Sequence, residues 1–74
     1  MYSPINKRKL GRLCQENRKR KGWTQTEIAY DIGCDIRSVS QFESGYSTSF
    51  RVLSWYMQND MITNDMVRGC RRYD

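Results

Sequence analysis

The side chains in this chain that can do chemistry are suited to recognition rather than to making or breaking bonds. There is no histidine, so the commonest catalytic base and metal ligand is missing. Cys14, Cys34 and Cys70 are widely spaced, with no Cys-x-x-Cys pair, and a zinc site is not expected. They read as small buried or half-buried hydrophobes. No enzyme activity, metal or cofactor is expected. The remaining signal is charge and hydrogen-bonding capacity, and it is unevenly placed. From Met1 to Gly22 stand eight bases and one acid, net +7; from Trp23 to Phe50 one base and four acids, net −3; the remainder is net +1. The overall charge of +5 points first to a nucleic-acid partner. The stretch "DIGCDIRSVSQFESG", Asp31 to Gly45, breaks that pattern. It sets three acids, Asp31, Asp35 and Glu43, against one base, Arg37.

At 74 residues the chain is expected to be one domain, 1–74, with a small core. No repeat, linker or low-complexity tract interrupts it, and no alternating run predicts a strand. The apolar positions predict an all-α fold of five short helices. Helix 1 is expected from about Lys7 to Lys21, capped by Asn6 and ended by Gly22, with Leu10, Leu13 and Cys14 inward. Helix 2 opens on "TQTE", where Thr24 and Glu27 form a capping box, and Ile28, Ala29 and Ile32 make its inner stripe. Gly33 supplies the left-handed turn. Helix 3 follows Asp35, whose carboxylate is expected to accept from the Ser38 amide. Val39 and Phe42 point inward, which leaves Ile36, Arg37, Ser40 and Gln41 outside. Helix 4 is expected over Phe50 to Asn59 after Ser49, with Leu53, Tyr56 and Met57 on one face. Helix 5 starts after Thr63 or Asn64 and reaches about Cys70, with Met66 and Val67 inward. Short tails are expected at 1–5 and 69–74, the second free to pair subunits, contact a partner or fray. Trp23, Trp55 and Tyr56 read as core aromatics.

Two helices joined by a glycine turn, over 24–44, have the form of a helix-turn-helix unit. The residues "RKGWTQTEIAYDIGCDIRSVSQFESG" carry a resemblance to the phage repressor and Cro family, also called the Xre-type helix-turn-helix domain. The likeness extends from about Lys7 to Val67, including "ITNDMV" before the last helix. It implies a repressor-like fold and a set of DNA contacts. Gln25 matches a glutamine that touches the DNA backbone and supports the recognition helix. Ile36, Arg37 and Gln41 match positions that face base edges, and arginine and glutamine suit guanine and adenine. Thr26, Ser40 and Tyr46 complete the implied DNA-binding set. Arg18 and Glu43 match a partly buried structural ion pair. The implied partner is a double-stranded operator, bound as a homodimer with half-sites about one DNA turn apart.

The departures from the family pattern open a second reading. Asp35 caps helix 3 where the family usually has Ser or Thr near a phosphate. Ile36 stands where a polar base reader is common. The loop "YSTS" after Gly45 lacks the usual basic residues, and Asp31 adds an acid. Phosphate contacts dominate DNA affinity, so this face is short of charge for DNA. Some temperate phages encode small antirepressors of this shape, which mask a lysogeny repressor. A protein-partner surface of that kind would use Asp31, Asp35, Ile36, Arg37, Gln41 and Tyr46 against a basic repressor domain. The basic run "NKRKLGRLCQENRKRKG" has two readings, a phosphate-gripping strip or the solvated face of helix 1. Either function places the protein in the reducing host bacterial cytoplasm with no membrane span.

Overall fold

The computed structural model describes residues 5–70, and among them the chain is all-α. Five helices follow in order: α1 Lys7–Arg20, α2 Gln25–Ile32, α3 Ile36–Glu43, α4 Phe50–Gln58 and α5 Asn64–Arg68. Local chemistry sets each start. The Asn6 side chain accepts from the Lys9 amide, Ser49 from Val52 and Thr63 from Met66. At α2 the Thr24 hydroxyl accepts from the Glu27 amide at 3.1 Å, and the Glu27 carboxylate accepts from the Thr24 amide at 2.9 Å. Both bonds satisfy amides that the first helical turn leaves without partners. Asp35 caps α3 by a different bond from the expected one. Its carboxylate accepts from the Arg37 amide at 2.9 Å, while the Ser38 amide turns to the Asp35 backbone carbonyl.

Between α2 and α3 the chain reverses through Gly33, whose φ of +84° is the left-handed conformation that side chains disfavour. The Gly33 and Cys34 amides both return to the Ala29 carbonyl. The core forms where the helices meet. Leu10 and Cys14 of α1, Ile28 and Ala29 of α2, Val39 and Phe42 of α3, and Val52, Trp55 and Tyr56 of α4 are all buried. An aromatic row ties it together: Trp23 meets Trp55 edge-on at 5.0 Å, Trp55 meets Tyr56 edge-on at 5.5 Å, and Tyr56 stacks on Phe42 at 5.9 Å. Such pairs add stability beyond their buried area.

The C-terminal part departs most from expectation. Helix α5 is only five residues and buries none of them fully. Met66 lies outward at 41 % exposure, and Met61 and Ile62, in the connection before α5, are buried in its place. A helix this short has too little surface to form a core face, so the connection closes the core. Cys70 is buried, as expected of the cysteines, but it is anchored although the tail was expected to begin at 69: its carbonyl accepts from the Asn6 amide at 2.5 Å. Ile5 also packs against the core. The ends expected as tails are thus anchored where described; residues 1–4 and 71–74 lie outside the described residues. The cysteines behave as expected: Cys14 and Cys70 are buried and Cys34 is half-buried, all as free thiols. No helix among the described residues is long and apolar enough to cross a membrane.

Candidate functional site

The outer surface of α3 is the candidate site, and a buried polar hub holds it in place. Glu43, in the last turn of α3, has a side chain only 1 % exposed. A carboxylate this buried needs every acceptor site filled. Arg18 of α1 supplies Nε at 2.7 Å and Nη2 at 3.2 Å, and Gln25 of α2 donates Nε2 at 2.9 Å. The Tyr56 hydroxyl of α4 donates to Oε2. Arg18 also donates Nη1 to the Trp23 carbonyl at 2.8 Å. Four helices therefore meet on one carboxylate, and the orientation of α3 is fixed against all of them. Burial works to lower the Arg18 pKa, but the bond and charge of Glu43 outweigh it and raise it. Burial, followed by the bond to Glu43, pushes the Tyr56 phenol up. Both groups are thereby held in the protonation states that the hub needs.

Above this hub, Ile36, Arg37, Ser40 and Gln41 all face solvent, as their spacing implies. Ile36 is 44 % exposed and Tyr46, just past the helix, 79 %. The Arg37 guanidinium lies 3.7 Å from the Asp35 carboxylate, and both side chains are well exposed. A solvated pair of this kind is weak and opens readily for another partner. The side chains of Ser40 and Gln41 hold no hydrogen bond to other described residues. Thr26 is exposed in the first turn of α2. Gln25 is half-buried and engaged with Glu43, so it supports α3 from beneath. The predicted ion pair Arg18–Glu43 is present, and Gln25 and Tyr56 enlarge it into a network.

Asp31 is exposed as expected, but its carboxylate is also engaged: it accepts from the Trp55 indole at 2.6 Å, fastening α2 to α4. Arg51 adds a longer bond to the Ile32 carbonyl at 3.3 Å. Of the three acids in "DIGCDIRSVSQFESG", only Asp35 presents its charge on the α3 surface.

Several contacts and exposures beside the site were not read from pattern. Gly11 lies in the middle of α1, where a β-carbon would come within 2.4 Å of the Phe42 carbonyl oxygen and 2.5 Å of that of Glu43. α1 and α3 thus touch backbone to backbone. Gly45 makes a second close approach: a β-carbon there would sit 2.7 Å from the Arg8 backbone. A helix-interior glycine costs stability, so Gly11 itself was the available clue to this contact. Tyr30 and Phe50, 90 % and 78 % exposed, add apolar surface on α2 and α4. No group of three or more potential ligands among the described residues is placed to hold a metal ion. No family model, no curated protein and no solved structure matches the chain.

Proposed function

We propose that this chain is a small transcription regulator of the phage repressor and Cro type, acting in a genetic switch by binding operator DNA through α3. One observation carries the reading. α3 exposes Arg37, Ser40 and Gln41 along one face, while Val39, Phe42 and Glu43 lock its other face into the core. Eight residues make a helix of about 12 Å, which matches a major groove about 12 Å wide. Arg37 offers paired donors to a guanine edge and Gln41 a donor and acceptor to adenine, with Ile36 against a thymine methyl. Gln25 and Thr26 stand at the start of α2, whose amides and dipole suit a phosphate. The test is selection of bound duplexes from a randomised pool, then mobility-shift titration on the enriched site. Arg37→Ala and Gln41→Ala are each expected to weaken binding by about 1–3 kcal/mol and to relax discrimination at one position. Retention of no sequence by the wild-type protein would overturn the reading.

A second reading, an antirepressor that covers a repressor's DNA-binding surface, draws on Asp35. This exposed acid stands beside exposed Ile36 and Tyr46. An exposed acid beside apolar anchors suits a basic protein surface. A tight complex with a repressor domain, together with no affinity for any duplex, would establish this reading over the first.

A further inference from the structure

The basic charge of α1 is not spread evenly around the helix. Arg8, Arg12, Gln15 and Lys19 recur at helical spacing and form one stripe about 16 Å long. The fold decides where that stripe lies. Because Gly11 lets α1 meet the carbonyls of Phe42 and Glu43, the flank next to it borders the C-terminal end of α3. Arg8, Arg12 and Gln15 line an open polar cleft with Glu43 and Ser44, and Arg8 continues into a second cleft with Lys7 and Gly45. The one acid in these clefts, Glu43, is already matched by Arg18 and filled by Gln25 and Tyr56. Among the described residues, Arg8, Arg12 and Lys19 have no carboxylate within ion-pair distance. Their exposed charges therefore stand unopposed beside the helix whose own loop, "YSTS", has none.

We infer that the stripe Arg8–Arg12–Gln15–Lys19 is a phosphate rail, which grips the duplex backbone flanking the groove that α3 enters. The inference rests on the DNA reading above and supplies the charge that the α3 surface lacks. Duplex DNA carries a phosphate about every 3.4 Å of axis on each strand, so a 16 Å rail passes several of them. A lipid surface is a poorer fit, because the stripe has no apolar residue to insert. The opposite flank of α1, with Lys9 and Arg20, includes Glu16 and faces the α5 side, where Lys9, Glu16 and Met66 share a groove that Arg12 also borders. Removing Lys9 and Arg20 together takes away the same charge as removing Arg8 and Arg12, and so provides a control.

The test uses the full chain and a duplex of about 24 base pairs of fixed, arbitrary sequence, with affinity followed by fluorescence anisotropy between about 50 and 200 mM salt. The Arg8→Gln/Arg12→Gln variant is expected to lower the slope of log K against log salt by about 2, at about 0.9 per phosphate contact. Lys9→Gln/Arg20→Gln removes the same charge and is expected to leave the slope unchanged. Equal loss in both variants, or loss in neither, overturns the rail. Absence of binding to this arbitrary duplex by the wild-type protein at low salt overturns the rail, while the DNA reading is decided separately by selection from the randomised pool. A rail effect in a protein whose sequence discrimination ignores Arg37→Ala and Gln41→Ala overturns base reading by α3 alone.

Discussion

Glu43 shows how one residue can hold the candidate surface of α3 without belonging to it. Its carboxylate collects donors from Arg18, Gln25 and Tyr56, so three other helices are fixed relative to α3. Glu43→Gln keeps the shape but leaves a buried guanidinium without its counter-charge. Breaking a buried pair from one side costs about 3–5 kcal/mol, and a chain of this size loses about 4–8 °C of Tm per kcal/mol. Thermal melting is expected to show a fall of more than about 12 °C; an unchanged Tm would mean that the hub contributes little. The same region is expected to set an alkaline limit on the fold. Burial, with the nearby Glu43 charge, pushes the Cys14 thiol from 9.0 up to about 12, and the Tyr56 phenol is also raised from its ordinary 10.0. Above pH 9 the unfolded chain releases protons that the folded chain keeps. Through these groups stability is expected to hold below pH 9 and to fall as pH rises towards 12, by about 1.4 kcal/mol per pH unit for Cys14 from pH 9 and by as much again for Tyr56 above pH 10. Denaturant melts across this range measure it directly. Cys14→Ala is expected to flatten the slope that begins near pH 9, whatever it does to stability at neutral pH.

At the scale of the helices, the two glycines Gly11 and Gly33 are needed for different reasons, and their alanine variants separate them. Gly33 has φ +84° and open space around it, so Gly33→Ala is strained only by its backbone, at about 1–2 kcal/mol. Gly11 has helical geometry but no room: alanine there strikes the backbone oxygens of Phe42 and Glu43, which cannot rotate aside. Gly11→Ala is expected to cost about 1–3 kcal/mol and also to move α1 off α3, which pulls Arg18 from Glu43. Chemical denaturation gives the first effect. A loss of DNA affinity beyond that of Gly33→Ala gives the second, and equal losses would show that the α1–α3 seam does not position the site. This contrast also marks what was legible in the sequence. Thr24, Glu27, Gly33, Ser49 and Thr63 act within one turn of themselves, so their roles could be read from neighbours alone. The α3 face was legible for the same reason, since its 3.6-residue period separates Val39 and Phe42 from Arg37 and Gln41. The bonds that engage Asp31 and the Cys70 backbone were not legible because their partners, Trp55 and Asn6, are distant in sequence, and Met66 was misread because Met61 and Ile62 fill the core beside its short helix. Period fixes which way a residue faces on its own helix, and only the packing of helices decides what it meets there.

Over the whole molecule, charge is separated into a basic α1 and an α3 surface whose one exposed carboxylate is Asp35. The two proposed partners respond oppositely to that carboxylate. A phosphate backbone is repelled by it, so removing it should raise DNA affinity, and more at low salt, where screening is weakest. A basic protein surface is attracted by it, so removing it should weaken that complex. The substitution must spare the cap, because Asp35 also holds the Arg37 amide, and losing a cap costs about 1 kcal/mol by itself. Asp35→Ser meets this condition: serine caps about as well as aspartate and carries no charge. It also releases Arg37 from its 3.7 Å pair, freeing the guanidinium for a base edge. The expected outcome is an unchanged Tm with several-fold tighter duplex binding, measured by mobility shift at low and moderate salt. Weaker binding to a repressor domain, with no gain on DNA, would instead assign the surface to a protein partner. Because fold and cap are held constant, the sign of the change reports the charge of whatever α3 faces.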